Sequence, residues 1–204
     1  MSDCHCECKD AADKLERRTL WTLLVINGVM FIAEAIAGWW GESTGLLADS
    51  LDMLADASVY GIALYAVGRS RRLQASAARA SGVLQIALGL CALFEVIRLF
   101  LYGSEPASVL MIAVGALALI ANATCLMLIS KHRDGGVHMR ASWIFSANDV
   151  IANLGVIISG ILVMVLGSRL PDLIIGAIIS AVVLRGGAQI LREAKKARAE
   201  ETGT

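Results

Sequence analysis

Charge and proline are both scarce in this chain of 204 residues: charged side chains make up 18%, and there are two prolines. Soluble globular chains carry roughly 25% charged and about 45–50% apolar residues. Here 57% of residues are hydrophobic and the mean hydropathy is +0.68. That composition argues against a soluble domain and for an integral membrane protein. The first twenty residues lack the basic stretch, apolar core and cleavage site of a removable signal peptide. Five cysteines suggest no disulfide framework, because Cys91 and Cys125 sit in apolar runs, where a cysteine is usually a small buried hydrophobe. There is no Gly-rich phosphate loop, no His-Glu-x-x-His and no nucleophile motif. Those absences speak against ATP-driven pumping, membrane proteolysis and enzyme chemistry in general, and nothing points to nucleic acid or to a bound cofactor.

What is present is apolar length. Six stretches, at 20–40, 46–68, 82–102, 107–130, 142–166 and 171–191, are each close to the roughly 20 residues a bilayer-spanning helix needs. An all-α bundle of six transmembrane helices is the predicted fold, with a Cys/His-containing tail over 1–19, a membrane domain over 20–191 and a short charged tail over 192–204. Short polar segments separate the spans, among them Arg69 to Arg79 and Lys131 to Arg140, and Pro106 and Pro171 stand near helix starts, where a missing N–H costs little. Basic residues cluster in the amino-terminal segment, the second and fourth loops and the tail, while the first and third loops have none and the fifth only Arg169. By the positive-inside rule both termini are cytoplasmic, in a plasma or inner membrane, and an even number of spans agrees with that. Trp21, Trp39, Trp40 and Trp143 lie near helix ends, as an interfacial belt requires.

Eight residues, Asp49-Ser50-Leu51-Asp52-Met53-Leu54-Ala55-Asp56, contradict the apolar setting. At 100° per residue the three aspartates fall within an arc of roughly 60° on one helix face. Each costs about 2.5–3.5 kcal/mol at the centre of an inserting helix, so the stripe implies an ion path, a proton relay or a metal site. The fifth span carries Asn148, Asp149 and Asn153; Asp149 and Asn153 share a face, and Asn148 lies about 100° away. The second and fifth spans run in opposite directions, as an inverted three-plus-three repeat with a midplane site would have them. Carboxylates from the two helices, with an amide nearby, can surround a divalent cation such as Zn²⁺, Fe²⁺, Co²⁺ or Mn²⁺. Interhelical hydrogen bonding alone is the plainer alternative, most of all for Asp49, which lies nearest the outer end.

Other polar residues have simpler readings. Glu95 and Arg98, spaced i, i+3, form an intrahelical ion pair. Asn122 is glue between helices, and Asn27 and Glu34 share a face of the first span. His132 and His138 fall in the fourth loop near the headgroups, neither with a ligand partner at metal-site spacing. Cys4-His5-Cys6-Glu7-Cys8 holds three thiols and an imidazole within five residues. The segment suits flexible capture of a soft or borderline metal, the alternative being a tail of reactive thiols.

On these residues the chain resembles the cation diffusion facilitator family of divalent-metal transporters, and the likeness runs through all six spans. Asn27-Gly28-Val29-Met30-Phe31-Ile32-Ala33-Glu34 is similar to the family's opening. Ser43-Thr44-Gly45-Leu46-Leu47-Ala48-Asp49-Ser50-Leu51-Asp52-Met53-Leu54-Ala55-Asp56 resembles the helix-two signature, whose two metal ligands fall on Asp52 and Asp56. Asn148-Asp149-Val150-Ile151-Ala152-Asn153-Leu154-Gly155-Val156 resembles the helix-five signature, whose aspartate falls on Asp149. The resemblance implies a transporter that exchanges a divalent cation (Zn, Cd, Co, Mn, Ni or Fe) for protons by alternating access. Two departures stand out. Phe145 occupies the position where the family usually has His or Asp, so Asn148, water or another helix must complete the site. The sequence also ends before the family's usual carboxy-terminal cytoplasmic domain, so a homodimer would form through membrane helices and the Cys/His segment would take over metal capture. Two rival readings are a membrane-bound metal sensor or transport-inactive homologue acting with a partner, and a membrane enzyme using the aspartates as acid–base groups.

Overall fold

A computed structural model describes the backbone of residues 2–40, 44–103 and 106–202, with side chains over 11–33, 35–36, 52–103 and 106–200. Six α-helices account for it: α1 (Ser2–Trp40), α2 (Thr44–Ala66), α3 (Arg71–Tyr102), α4 (Ser108–Ser130), α5 (Val137–Leu166) and α6 (Leu170–Thr202). Among the described residues there is no strand. The apolar stretches fall on helices to within two residues, but three helices run well past them. At 1.5 Å per residue, the 39 residues of α1 span about 58 Å, far more than the roughly 30 Å of a bilayer core. The polar segments Ser2–Thr19, Arg71–Ser81 and Arg192–Thr202 are helical turns continuous with the apolar ones. So α3 begins near Arg71 instead of at position 82, and the Cys/His segment has a helical backbone where a flexible one was expected.

Local chemistry sets the boundaries. Ser70 caps α3, its hydroxyl accepting from the Leu73 amide at 3.4 Å. Pro171 sits in the first turn of α6, where its missing N–H is no loss. Gly167 ends α5 in the left-handed conformation (φ +61°), which costs a glycine little.

Helices α1, α2, α4 and α5 pack together, and α3 lies along α6 on the side of α5. The α3–α6 contact depends on small residues. A Cβ at Gly187 would meet Ile86 Cγ1 at 2.7 Å, and one at Gly82 would meet Ile190 and Leu191 at 3.0 Å. Such close backbone approach is how helices associate where lipid removes the hydrophobic drive.

Burial is inverted relative to a soluble protein. Phe94, Tyr102, Val109, Ile120 and Val165 are more than 60% exposed, while Asn27, Asp56, Asn122 and Asp149 are buried. Among the described residues, four helices, α3 to α6, are long and apolar enough to cross a membrane. The chain is an integral membrane protein. The apolar core at one end of the bundle joins Leu20 and Leu23 of α1, Tyr60, Ala63 and Val67 of α2, Cys125 and Ile129 of α4, and Met139 of α5. Trp143 is partly buried, packing against this cluster and a second one on α3, α5 and α6, with Arg133 5.7 Å from its ring.

Candidate metal centre

Helical spacing places the polar side chains. On α2, Asp52, Asp56 and Tyr60 succeed one another at four-residue steps, which puts them on one face. Asp56 and Tyr60 are fully buried and Asp52 partly so. On α5 a buried stripe runs through His138, Ser142, Phe145, Ser146, Asp149 and Asn153. The two faces meet. Asp149 is in side-chain contact with Asp56 and close enough to Asp52 to interact through space. Asp149 Oδ2 has no hydrogen-bond partner in the structure, an unusual state for a buried carboxylate.

Four helices contribute to this centre. Tyr60 lies beside Asp56, Asp149, Cys125 and Ser146. Asn27 of α1 donates to the Leu23 carbonyl at 3.0 Å and to Cys125 Sγ at 3.4 Å. Cys125 therefore has a polar neighbour and two acidic ones, which a reading as a plain hydrophobe missed. Tyr60 and Ser146 were missed too; their step of four from Asp56 and from Ser142 is the signal that could have found them.

Other expected residues fall elsewhere. Phe145, one turn before Asp149, is buried in the core and offers no donor. The Asn148 amide is turned to α6, pressed against Gly186, where a Cβ would overlap it. Asn122 is buried on α4, three residues from Cys125. Glu95 accepts from Arg98 Nε at 2.8 Å as a surface pair within α3, as its spacing implied. The side chains of Asp49, Glu34, Cys4, His5, Cys6 and Cys8 lie outside the described residues. Among the described residues no three His, Cys, Asp or Glu side chains converge closely enough to hold a metal ion. Asp56 and Asp149 meet, and Asp52 stands near without closing a triad.

His138 departs most from expectation. It lies in the first turn of α5, 1% exposed, with its Nε2 3.8 Å from Glu16 Oε2 on α1. Burial pushes the Glu16 carboxyl up to about 7, helped by nearby Asp13, and pushes the His138 imidazole down to about 4. Desolvation disfavours the charged form of each.

Comparisons with known proteins agree with this architecture. Residues 20–197 match the family model of the cation efflux transmembrane domain. The zinc transporter ZitB of Yersinia pestis is 25% identical over 189 residues, covering 86% of this chain and 61% of that protein. The Cadmium, cobalt and zinc/H(+)-K(+) antiporter of Bacillus velezensis is 26% identical over 188 residues, covering 85% and 60%. The zinc transporter ZitB of Escherichia coli is 26% identical over 194 residues, covering 89% and 62%. The chain thus spans about three-fifths of the length of these curated relatives. With the matched domain extending over most of its helices, the chain belongs to the cation efflux family, the cation diffusion facilitators.

Proposed function

We propose that the protein exports a divalent metal cation across a cytoplasmic membrane in exchange for protons. Asp52, Asp56 and Asp149 are the cation's ligands. The observation that carries this reading is the meeting of Asp56 and Asp149, two buried carboxylates on different helices of a membrane bundle. Like charges so placed repel one another, and a divalent cation or protons would relieve the repulsion. The same groups can therefore hold metal in one phase of a cycle and protons in the next, with no covalent chemistry. Closure of Asp52 onto the pair belongs to the metal-loaded state, and water or an amide fills the position that Phe145 leaves without a donor. Asn148 and Asp49 are secondary candidates, and the Cys4-His5-Cys6-Cys8 segment is a capture site at the inner face. Six spans with both termini cytoplasmic, and a homodimer through membrane helices, complete the arrangement. The names of the relatives favour Zn²⁺, Cd²⁺ and Co²⁺ as substrates.

Reconstitution in liposomes tests this. Metal-dependent proton flux is recorded for Zn²⁺, Cd²⁺, Co²⁺, Mn²⁺, Ni²⁺ and Fe²⁺, beside Asp149→Ala. Flux with one or a few metals, lost in the variant, supports the proposal. No flux from folded protein with any metal favours the second reading, a metal-binding sensor or partner-dependent subunit, for which buried Phe145 in a ligand position is the observation.

A further inference from the structure

The Glu16–His138 pair lies apart from the aspartates, at the inner end of the same α5 stripe. The apolar side chains of Leu20, Leu23 and Met139 belong to the core cluster at this end of the bundle, which also contains Tyr60. His138 is 1% exposed and neither of its ring nitrogens has a hydrogen-bond partner. Glu16 is 7% exposed. Their facing atoms are 3.8 Å apart, too far for a hydrogen bond. Buried polar atoms are normally paired, and here a carboxylate oxygen and an imidazole nitrogen point at one another across a gap.

The backbone is shaped around the pair. Gly135 packs directly against the Glu16 carboxylate, and a Cβ at Gly136 would meet His138 Nδ1 at 3.0 Å. The extension of α1 is held in place by Arg17, which donates to the Val67 carbonyl at 2.7 Å.

We propose that Glu16 and His138 form a second divalent-cation site, an inner loading station distinct from the aspartate centre. Typical zinc–nitrogen and zinc–oxygen distances are about 2.0–2.2 Å, so a cation bound to both atoms fits the gap at an obtuse angle. One imidazole and one carboxylate select a borderline cation of the Zn²⁺ or Co²⁺ class over Mg²⁺ or Ca²⁺. The choice of a metal as ligand rests on the transport reading, but the residues do not overlap with those of the aspartate centre.

Zinc stoichiometry of the full chain in detergent, measured by calorimetric titration, tests the site. Glu16→Gln and His138→Gln are each expected to remove the same single equivalent, and the double variant no more than either alone. Asp149→Asn removes a different equivalent, so combining it with Glu16→Gln removes two. Unchanged stoichiometry in Glu16→Gln would overturn the site, as would a double variant that loses two equivalents. Glu16→Gln conserves volume and carries the test if His138→Gln does not fold. If Asp149→Asn changes nothing, the aspartate centre fails while this site stands.

Discussion

Two regions of this molecule bury carboxylates, and they differ in how the chain brings them together. In the centre, α2 presents Asp52 and Asp56 at one helical step and α5 adds Asp149. At the end of the bundle near Met139, Glu16 comes from about four turns into α1 and His138 from the first turn of α5, two helices that are remote in sequence. The first arrangement shows itself in the primary structure because three acids interrupt an apolar run. The second leaves no mark, since a glutamate in a polar tail and a histidine in a polar loop each look ordinary until the fold closes. Local spacing reveals a site built within one helix; a site built between helices appears only with the packing.

The largest effect should follow from giving the centre the donor it lacks. Phe145→His exchanges a buried phenyl ring for a polar imidazole and should cost about 3 kcal/mol in metal-free protein. Zn²⁺ should restore several degrees of melting temperature by binding the folded state, where it adds less to the parent protein. Equal zinc shifts in both would place Phe145 away from the ligands. Next is the scaffold. Gly187→Val drives a side chain into Ile86 and should destabilise the α3–α6 contact by about 1–3 kcal/mol, read as a lowered melting temperature, leaving the contact of Asp56 with Asp149 intact.

The Glu16–His138 pair is sharpened by pH. Glu16, raised from 4.5 to about 7, favours the folded state fully below pH 4.5 and loses that contribution as pH rises through 7. His138, lowered from 6.5 to about 4, contributes fully above pH 6.5 and loses that contribution as pH falls through 4. Between 4.5 and 6.5 the two slopes oppose each other. Asp13 on α1 acts on both groups, and Gln74 on α3 meets His138 at Gly136. Glu16→Gln should therefore give a melting temperature that rises with pH over this window, and His138→Gln one that falls. Parallel profiles would show that neither group titrates as its burial demands. The smallest effect belongs to Arg133→Gln, which removes the cation 5.7 Å from the Trp143 ring; about 0.5–1 kcal/mol is expected from thermal unfolding.

The primary structure disclosed much of the fold for a physical reason. A membrane span must satisfy its backbone internally, so long apolar runs can only be helices, and the six runs match stretches of α1 to α6 to within two residues. Its reach ended where helices leave the apolar phase. Arg71 to Ser81 and the turns before Leu20 are polar yet helical, because α3 packs on α6 and the start of α1 packs beneath Val67 and Gly135. In the candidate centre, the aspartates stood out by their charge. Cys125, Tyr60 and Ser146 did not, since each is unremarkable in an apolar helix until Asn27, Asp56 and Asp149 are beside it.

The central claim is that the carboxylates joining α2 to α5 hold the transported cation. Its most direct test is the initial rate of Zn²⁺ movement in proteoliposomes carrying Asp56→Asn, a change that keeps side-chain volume and removes one charge. The account requires the rate to fall to that of protein-free liposomes while the variant remains folded. A rate equal to that of the parent protein would contradict it.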